Sequence, residues 1–210
     1  MKHIEFYLDF ISPYAYLAFE KLPEALKGIS YRVTHKPVLF AALLKHHGQL
    51  GPAEIASKRD WTYRQVAWQA HVHGVALQLP ASHPFNPLGL LRLAVACDAS
   101  GEPNRYVCET IFRHAWQGGA DAADAARLEA LTARLAPSRS LQDATVKAQL
   151  QAHGEQALVL GLFGVPSFVV DGKVFWGFDA LPMLRAYLLG DPWFEAGWDL
   201  PASVAQGIRR

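Results

Sequence analysis

Cysteine is scarce in this chain of 210 residues. There are two, Cys97 and Cys108, and they are too far apart to form a Cys-x-x-Cys pair. A dithiol redox centre is therefore not expected. We interpret both residues as small buried apolar side chains in a reduced, cytoplasmic protein. A bridge between them across the turn at residues 101–103 stays open, but nothing in the pattern indicates one.

Net charge and long apolar runs are also missing. The 20 basic and 19 acidic residues give a formal charge of +1, so neither nucleic acid nor a charged membrane surface is an expected partner. No apolar run approaches the length of a transmembrane helix. Residues 1–5 enter a strand pattern at once, which argues against a signal peptide. What the chain does have is 51% hydrophobic residues, enough for a substantial core.

The N-terminal part of the chain has the pattern of a βαβ unit. Residues 3–10 are rich in β-branched and aromatic types and predict a strand. Ser12 and Pro13 are a typical N-cap and first helical residue, and they predict a helix over 13–26. A second strand is predicted over 29–37, parallel to the first and joined to it by a right-handed crossover.

The C-terminal part predicts a β-hairpin and a helix. Strands are expected at 167–170 and 174–176, with Asp171-Gly172 as the turn between them. A helix is expected over 180–189. Strand, helix and strand followed by hairpin and helix is the order of the thioredoxin fold. Three aromatic residues of the tail, Trp193, Phe194 and Trp198, are expected to pack on the surface.

Between these two parts the spacing of apolar residues is helical almost throughout. The predicted helical segments are residues 52–72, 87–99, 103–116, 121–135 and 141–160. We therefore predict an α/β protein with a thioredoxin-like fold and an inserted all-α-helical domain. The thioredoxin-like domain is discontinuous, at residues 1–40 and 161–210, and the insertion spans 41–160.

The first helix begins where a thioredoxin-like redox motif would have a cysteine at each end. Here those two positions are Ser12 and Ala15. Ser12 could act only as the helix cap. It could also hold the sulfur of a ligand, because a helix N-terminus favours an anion and a hydroxyl can donate to a thiolate. The two interpretations are compatible.

Two further segments are candidates for binding a ligand. Pro166 lies at the entry to the third strand, and its peptide bond with Val165 is either trans or cis. A cis bond would leave the backbone of Val165 free to pair with an extended peptide. Asp179 either caps the last helix or holds the charged end of a zwitterionic ligand.

Positive charge and metal binding complete the candidates. Lys36 ends the second strand and would lie near Ser12, since ligands bind at strand ends of open α/β sheets. The pairs His46-His47 and His71-x-His73 have no further ligand at suitable spacing, so no metal site is expected.

Four motifs resemble those of the 2-hydroxychromene-2-carboxylate isomerases, a family grouped with the kappa-class glutathione transferases among DsbA-like proteins. They are residues 6–16, 36–39, 164–168 and 176–179, and the resemblance runs from about residue 2 to 189. It implies a thioredoxin fold with a helical insertion, glutathione as the cofactor and a homodimer.

The resemblance also implies roles for individual residues. Ser12 matches the catalytic serine that hydrogen-bonds the glutathione sulfur. Val165, before Pro166, matches the residue whose backbone pairs with the cysteinyl part. Asp179 matches an acidic residue that holds the γ-glutamyl end, and Lys36 matches a basic position lining the active site.

The chain departs from the family pattern at two of the expected glutathione-binding positions. Gln49 follows Gly48 where many relatives have asparagine. Phe178 precedes the acidic residue where kappa-class members have a small polar residue.

The leading hypothesis is a glutathione-dependent isomerase of aromatic catabolism. It would convert 2-hydroxychromene-2-carboxylate, a small aromatic carboxylate, to trans-o-hydroxybenzylidenepyruvate, with Ser12 stabilising the glutathione thiolate. One alternative is a kappa-class glutathione transferase or peroxidase that acts on another electrophile. The other is a thioredoxin-like module that binds glutathione or a peptide without catalysis.

Overall fold

The computed structural model describes residues 1–205 and 207. Its N-terminal part is the predicted βαβ unit: β1 (Lys2–Leu8), α1 (Pro13–Ala25) and β2 (Tyr31–Pro37). β1 and β2 pair in parallel over their whole length, from Lys2 opposite Tyr31 to Leu8 opposite Pro37. The β-branched and aromatic residues of β1 are suited to this position because its last three residues are buried.

The predicted hairpin is also present, as β3 (Ser167–Val170) and β4 (Lys173–Trp176). At its turn, Asp171 and Gly172 have φ angles of 49° and 77°, the left-handed conformation that Asp-Gly turns favour. β3 runs antiparallel to β1, which gives the strand order β2-β1-β3-β4. The helix at Leu181–Leu188 follows the hairpin and contacts α1 and β4, and the sheet has both parallel and antiparallel pairs, so the fold is thioredoxin-like.

Helices fill the stretch between β2 and β3, as the spacing predicts. They are α2 (Phe40–His46), α3 (Ala56–Val72), α4 (Leu88–Ala96), α5 (Arg105–Trp116), α6 (Ala125–Leu135) and α7 (Ala144–Val159), and after β4 come α8 (Leu181–Leu188) and α9 (Trp193–Ala196). α5, α6 and α7 begin later than predicted because Asn104, Asp124 and Asp143 cap them. α2 was not predicted. Among the described residues, no helix is long and apolar enough to cross a bilayer.

The helices between β2 and β3 share one core with the sheet. The ring of Phe112 in α5 packs 4.8 Å from that of Phe10 and 5.1 Å from that of Phe19 in α1. Trp116 is fully buried, and its Nε1 donates to the Phe10 carbonyl at 2.8 Å. The division into domains at residues 40 and 160 stays a prediction, and hydrophobic contact is continuous across it.

The tail packs on the sheet side of this core in part, as expected. Phe194 and Trp198 lie 6.1 Å and 5.2 Å from the ring of Phe175 in β4, measured between ring centroids. Trp193 remains half exposed. Residues 206 and 208–210, which belong to the tail predicted to pack on the surface, lie outside the described residues.

Candidate active site

Ser12 lies at the junction of α1 and the segment before β3. Its Oγ accepts a hydrogen bond from the Ala15 N–H at 3.2 Å, so it is the N-cap that the sequence predicts. The same hydroxyl donates to the carbonyl of Val165 at 3.4 Å. Only 6% of Ser12 is exposed. The hydrogen bond that this hydroxyl donates is therefore long and weak. The hydroxyl could instead donate to a stronger acceptor such as a thiolate.

Val165 and the start of α1 offer backbone donors next to this hydroxyl. The Val165–Pro166 peptide bond is cis, one of the two geometries that the sequence left open. Among the described residues, neither the Val165 N–H nor the Tyr14 N–H has a hydrogen-bond acceptor. Free N–H groups at the start of a helix are where anions bind. An extended peptide that has a thiolate side chain suits this donor set.

Asp9 supplies a buried carboxylate directly after β1. It accepts from the Phe40 N–H at 2.8 Å, at the start of α2, and from the Ile11 N–H at 3.2 Å. Burial raises the pKa of Asp9 to about 7, although these backbone hydrogen bonds act in the opposite direction. Asp9 thus joins the starts of two helices and titrates near neutral pH.

A cavity of about 640 Å³ opens beside Ser12. This volume is within the range of pockets that bind drug-sized ligands. Its walls are mostly apolar and come from both parts of the chain; they include Ile11, Tyr14, Phe40, Leu44, Phe85, Phe163, Val165 and Trp176, with Gln49, Thr62 and His83 as polar members. The cavity could therefore hold an aromatic molecule against the Ser12 hydroxyl.

Trp176 and Phe163 lie together at the wall of this cavity, with ring centroids 4.8 Å apart. Trp176 is 52% exposed, although it is a large aromatic residue. Gly164 lets the indole lie this close, because a Cβ at that position would be 2.7 Å from the Trp176 Nε1. The pair is part of the apolar surface that a ligand would meet.

Of the other predicted site residues, only Gln49 lines the cavity. Lys36 does not, because its Nζ lies 2.6 Å from the Glu102 carboxylate, in the loop before α5. Phe178 packs against Leu17 and Val66. The structure therefore brings Ser12, Val165 and Gln49 together and leaves Lys36 and Phe178 outside the cavity.

Pro166 and Asp179 are also outside the cavity wall, although both are close to it. The Pro166 carbonyl accepts from the Gly177 N–H at 2.9 Å. Asp179 is exposed, in a short 3₁₀ helix at Phe178–Ala180. It does not cap α8, whose N-cap residue is Ala180, so the capping interpretation was wrong. Burial, together with the negative charge of Asp179, raises the pKa of Tyr14, a residue of the cavity wall.

His83 and Asp9 were missed as site residues. His83 lies in the cavity wall, directly before Pro84 in the sequence. Its Nε2 is 2.8 Å from the carbonyl oxygen of Ile11. The local signal for it is its place directly before Pro84 and Phe85, which also line the cavity. Nothing local connects it with Ile11, which is 72 residues earlier in the chain.

The cysteines lie away from this site, and both are free thiols. Cys97 is the C-cap residue of α4, and Cys108 is fully buried in α5, where burial raises its thiol pKa. Within the part of the chain that the structure describes, no three His, Cys, Asp or Glu side chains group as metal ligands would.

Comparison with known proteins agrees with this fold. Residues 3–189 match the family model described as DSBA-like thioredoxin domain. The chain is 28% identical over 196 residues to a 2-hydroxychromene-2-carboxylate isomerase of Sphingobium xenophagum, covering 90% of this chain and 98% of the relative. It is 24% identical over 208 residues to glutathione S-transferase kappa 1 of Rattus norvegicus, covering 90% and 92%.

Solved structures share the fold. A structure of a selenomethionine 2-hydroxychromene-2-carboxylate isomerase superposes with a TM-score of 0.77 at 19% identity, and the match covers 93% of this chain and 98% of that one. The similarity extends over the helices as well as the sheet, because almost the whole of both chains is aligned.

Proposed function

The chain belongs to the family of DSBA-like thioredoxin domains, and we propose that it is a glutathione-dependent enzyme. Its proposed reaction is the cis–trans isomerisation of 2-hydroxychromene-2-carboxylate to trans-o-hydroxybenzylidenepyruvate, in aromatic catabolism. The names of three relatives, at 26–28% identity, support this choice. The observation that carries it is the Ser12 hydroxyl, at a helix start, beside a large apolar cavity.

Ser12, Val165 and Tyr14 would hold glutathione. The N–H groups of Val165 and Tyr14 are available for its backbone and its sulfur, and the Ser12 hydroxyl can donate to the sulfur. When bound, glutathione supplies a thiolate that adds to a conjugated double bond and leaves after rotation. Ser12 and the start of α1 would favour the ionised thiol over the neutral one, since both present positive partial charge to it.

The apolar walls would hold the aromatic substrate and exclude water. Phe40, Phe163 and Trp176 offer flat surfaces to a ring. Exclusion of water strengthens the hydrogen bond from Ser12, because the local dielectric is low. Asp179 lies near Tyr14 and is proposed to meet the charged end of the γ-glutamyl group.

A second candidate is a transferase or peroxidase reaction on an uncharged electrophile. Among the described residues that line the cavity there is no lysine or arginine, and the two carboxylates, Asp9 and Glu54, accept from backbone N–H groups. Such a wall makes fewer favourable contacts with a substrate carboxylate than with an uncharged aromatic ring. The chain's likeness to the kappa-class transferases supports this candidate too.

Two measurements test these proposals. Calorimetric titration with glutathione and with S-methylglutathione should give binding of both, because the tripeptide contacts are the same. Turnover of 2-hydroxychromene-2-carboxylate should require glutathione and should not occur with the S-methyl compound. Turnover without glutathione, or no binding, would refute the proposal. Glutathione-dependent reaction with a neutral aromatic electrophile alone would favour the transferase, and binding without any reaction would favour a non-catalytic module.

We also propose a homodimer, as the resemblance to kappa-class proteins implies, and a cytoplasmic location, as expected for a chain whose two cysteines are free thiols. Light scattering on the purified protein tests the first, and cell fractionation tests the second. A mass of 23.2 kDa at all concentrations would show a monomer instead.

A further inference from the structure

The peptide groups of Ile11, the residue before Ser12, are held on both sides. The Ile11 N–H donates to Asp9 Oδ1 at 3.2 Å. The Ile11 carbonyl lies 2.8 Å from Nε2 of His83. The contact with Asp9 is local, from two residues earlier in the segment after β1, whereas His83 reaches Ile11 from the loop after α3. All three residues line the cavity.

The contacts of His83 fix which of its nitrogens has the proton. A carbonyl oxygen can only accept, so Nε2 must donate to Ile11. Nδ1 is then an acceptor. The Tyr63 hydroxyl lies 2.9 Å from Nδ1 and 3.2 Å from the His83 carbonyl oxygen, so the contact with Nδ1 is the shorter of the two. Burial lowers the pKa of His83, which is consistent with a neutral ring that has one proton. The rings of Trp116 and Phe85 pack at 5.5 Å and 5.8 Å from it, measured between centroids.

We propose that His83 is a positioning residue for Ser12. By donating to the Ile11 carbonyl, it holds the turn that aims the Ser12 hydroxyl into the cavity. Tyr63, in α3, keeps the His83 proton on Nε2 and so maintains this donor. Asp9 completes the arrangement from the N–H side of Ile11. The effect on catalysis rests on the proposed function, whereas the effect on Ser12 geometry does not.

Ser12 depends on this support because its own hydrogen bonds are long. Its Oγ is 3.2 Å from the Ala15 nitrogen and 3.4 Å from the Val165 oxygen. If a shift of the preceding peptide lengthened the contact with Val165 by a few tenths of an ångström, that hydrogen bond would be lost, because a donor–acceptor distance of about 3.6 Å is no longer a hydrogen bond. The short hydrogen bond from His83, at 2.8 Å, is therefore the firmer restraint on this turn.

Three variants separate positioning from mere packing. His83→Met removes the donor but fills the space, and His83→Gln places an amide N–H where Nε2 was. Tyr63→Phe keeps the ring of Tyr63 and removes the hydroxyl that orients His83. His71→Met is the matched control, because His71 is an exposed histidine of α3 outside the cavity wall.

The first readout needs no glutathione. The Ala15 amide, capped by Ser12, should exchange its hydrogen about five-fold faster in His83→Met than in the unmodified protein, as expected for one weakened hydrogen bond. His83→Gln and His71→Met should exchange at the unmodified rate, and Tyr63→Phe should lie between. Unchanged Ala15 exchange in His83→Met would overturn the proposal, and so would failure of His83→Gln to restore it.

The second readout is the thiol pKa of bound glutathione, followed by thiolate absorbance. His83→Met should raise it by about one unit and lower kcat/KM about ten-fold, mainly through kcat. If glutathione does not bind the unmodified protein, the proposed function fails, and Ala15 exchange still decides the role of His83. If glutathione binds and its thiol pKa is the same in His83→Met, the positioning role is refuted while the proposed function stands.

Discussion

Ser12 has a structural and a proposed chemical role, and one substitution can separate them. Ser12→Ala removes the N-cap of α1, which should cost about 1 kcal/mol of unfolding free energy. It also removes the proposed donor to the thiolate, so kcat/KM should fall roughly 100-fold. Denaturant unfolding and steady-state kinetics with glutathione measure the two effects.

A remote cap provides the control for Ser12. Asn104→Ala removes the side-chain acceptor of the Val107 N–H at the start of α5 and should cost similar stability. Its activity should be unchanged. If both variants lost the same activity, the loss would come from destabilisation and Ser12 would be only a cap.

Asp9 should make the stability of the protein depend on pH. Its pKa is about 7 in the folded chain, against an ordinary value of 3.8. Between these values the folded protein binds a proton that the unfolded chain has lost, so the stability that Asp9 contributes falls as pH rises from about 4 to about 7. Asp9→Asn should remove this dependence, up to roughly 1.4 kcal/mol per pH unit.

The slope of unfolding free energy against pH is the quantity to compare for Asp9. Asp9→Asn also loses an acceptor for the Phe40 or the Ile11 N–H, so its stability will be lower at acid pH for that separate reason. Buried His35 and His153 have lowered pKa values, again through burial, and they titrate in both proteins. Parallel pH profiles of the two proteins would contradict the raised pKa of Asp9.

At the scale of elements, the sequence predicted the helices and strands that are stabilised by residues close to them in the chain. α1 has its cap, its proline and its apolar face within one segment, so its start was predictable. α2 has no side-chain cap of its own. The N–H of its first residue is bound by Asp9, 31 residues earlier, and no local signal shows this.

The same reasoning explains the candidate site. Ser12, Val165 and Gln49 were found from motifs, and they do line one cavity. Lys36 was expected there because it ends a strand, but its partner is Glu102, 66 residues away. His83 was missed because its contact with Ile11 spans 72 residues of sequence. Long-range pairing was the part that the sequence could not supply.

The segment between α7 and β3 shapes the cavity through Gly164. Gly164→Ala would bring a Cβ to 2.7 Å from the Trp176 Nε1, so the indole must move from its position against Phe163. Because Trp176 is half exposed, it can move at little cost, and stability should change by less than about 1 kcal/mol. We expect altered Trp176 fluorescence and a several-fold higher KM for the proposed aromatic substrate.

Comparison with Trp176→Phe assigns these changes to the indole. The fluorescence change should vanish when Gly164→Ala is made in that background, since the reporting side chain is gone. A normal KM together with normal fluorescence in Gly164→Ala would mean that the loop, rather than Trp176, absorbs the new methyl group.

For the whole molecule, the question is whether the helical insertion is a domain in the thermodynamic sense. Phe10, Phe19, Phe112 and Trp116 form one aromatic cluster, although the first two lie before residue 41 and the last two after it. Separation of residues 41–160 from the rest would expose these rings. Each large side chain contributes about 1.5–3 kcal/mol through burial, a large share of the net stability of a domain.

We therefore expect the chain to unfold in one cooperative transition. Helical circular dichroism, which reports mostly on the insertion, and tryptophan fluorescence should give the same urea midpoint. Residues 41–160 expressed alone should lack a cooperative transition, because the partners of Phe112 and Trp116 are missing. Phe112→Ala should lower the unfolding free energy of the full chain by about 3–5 kcal/mol. The urea midpoints measured by circular dichroism and by fluorescence should then fall together. Two separate midpoints, or a stably folded fragment, would show that the shared cluster does not couple the insertion to the sheet.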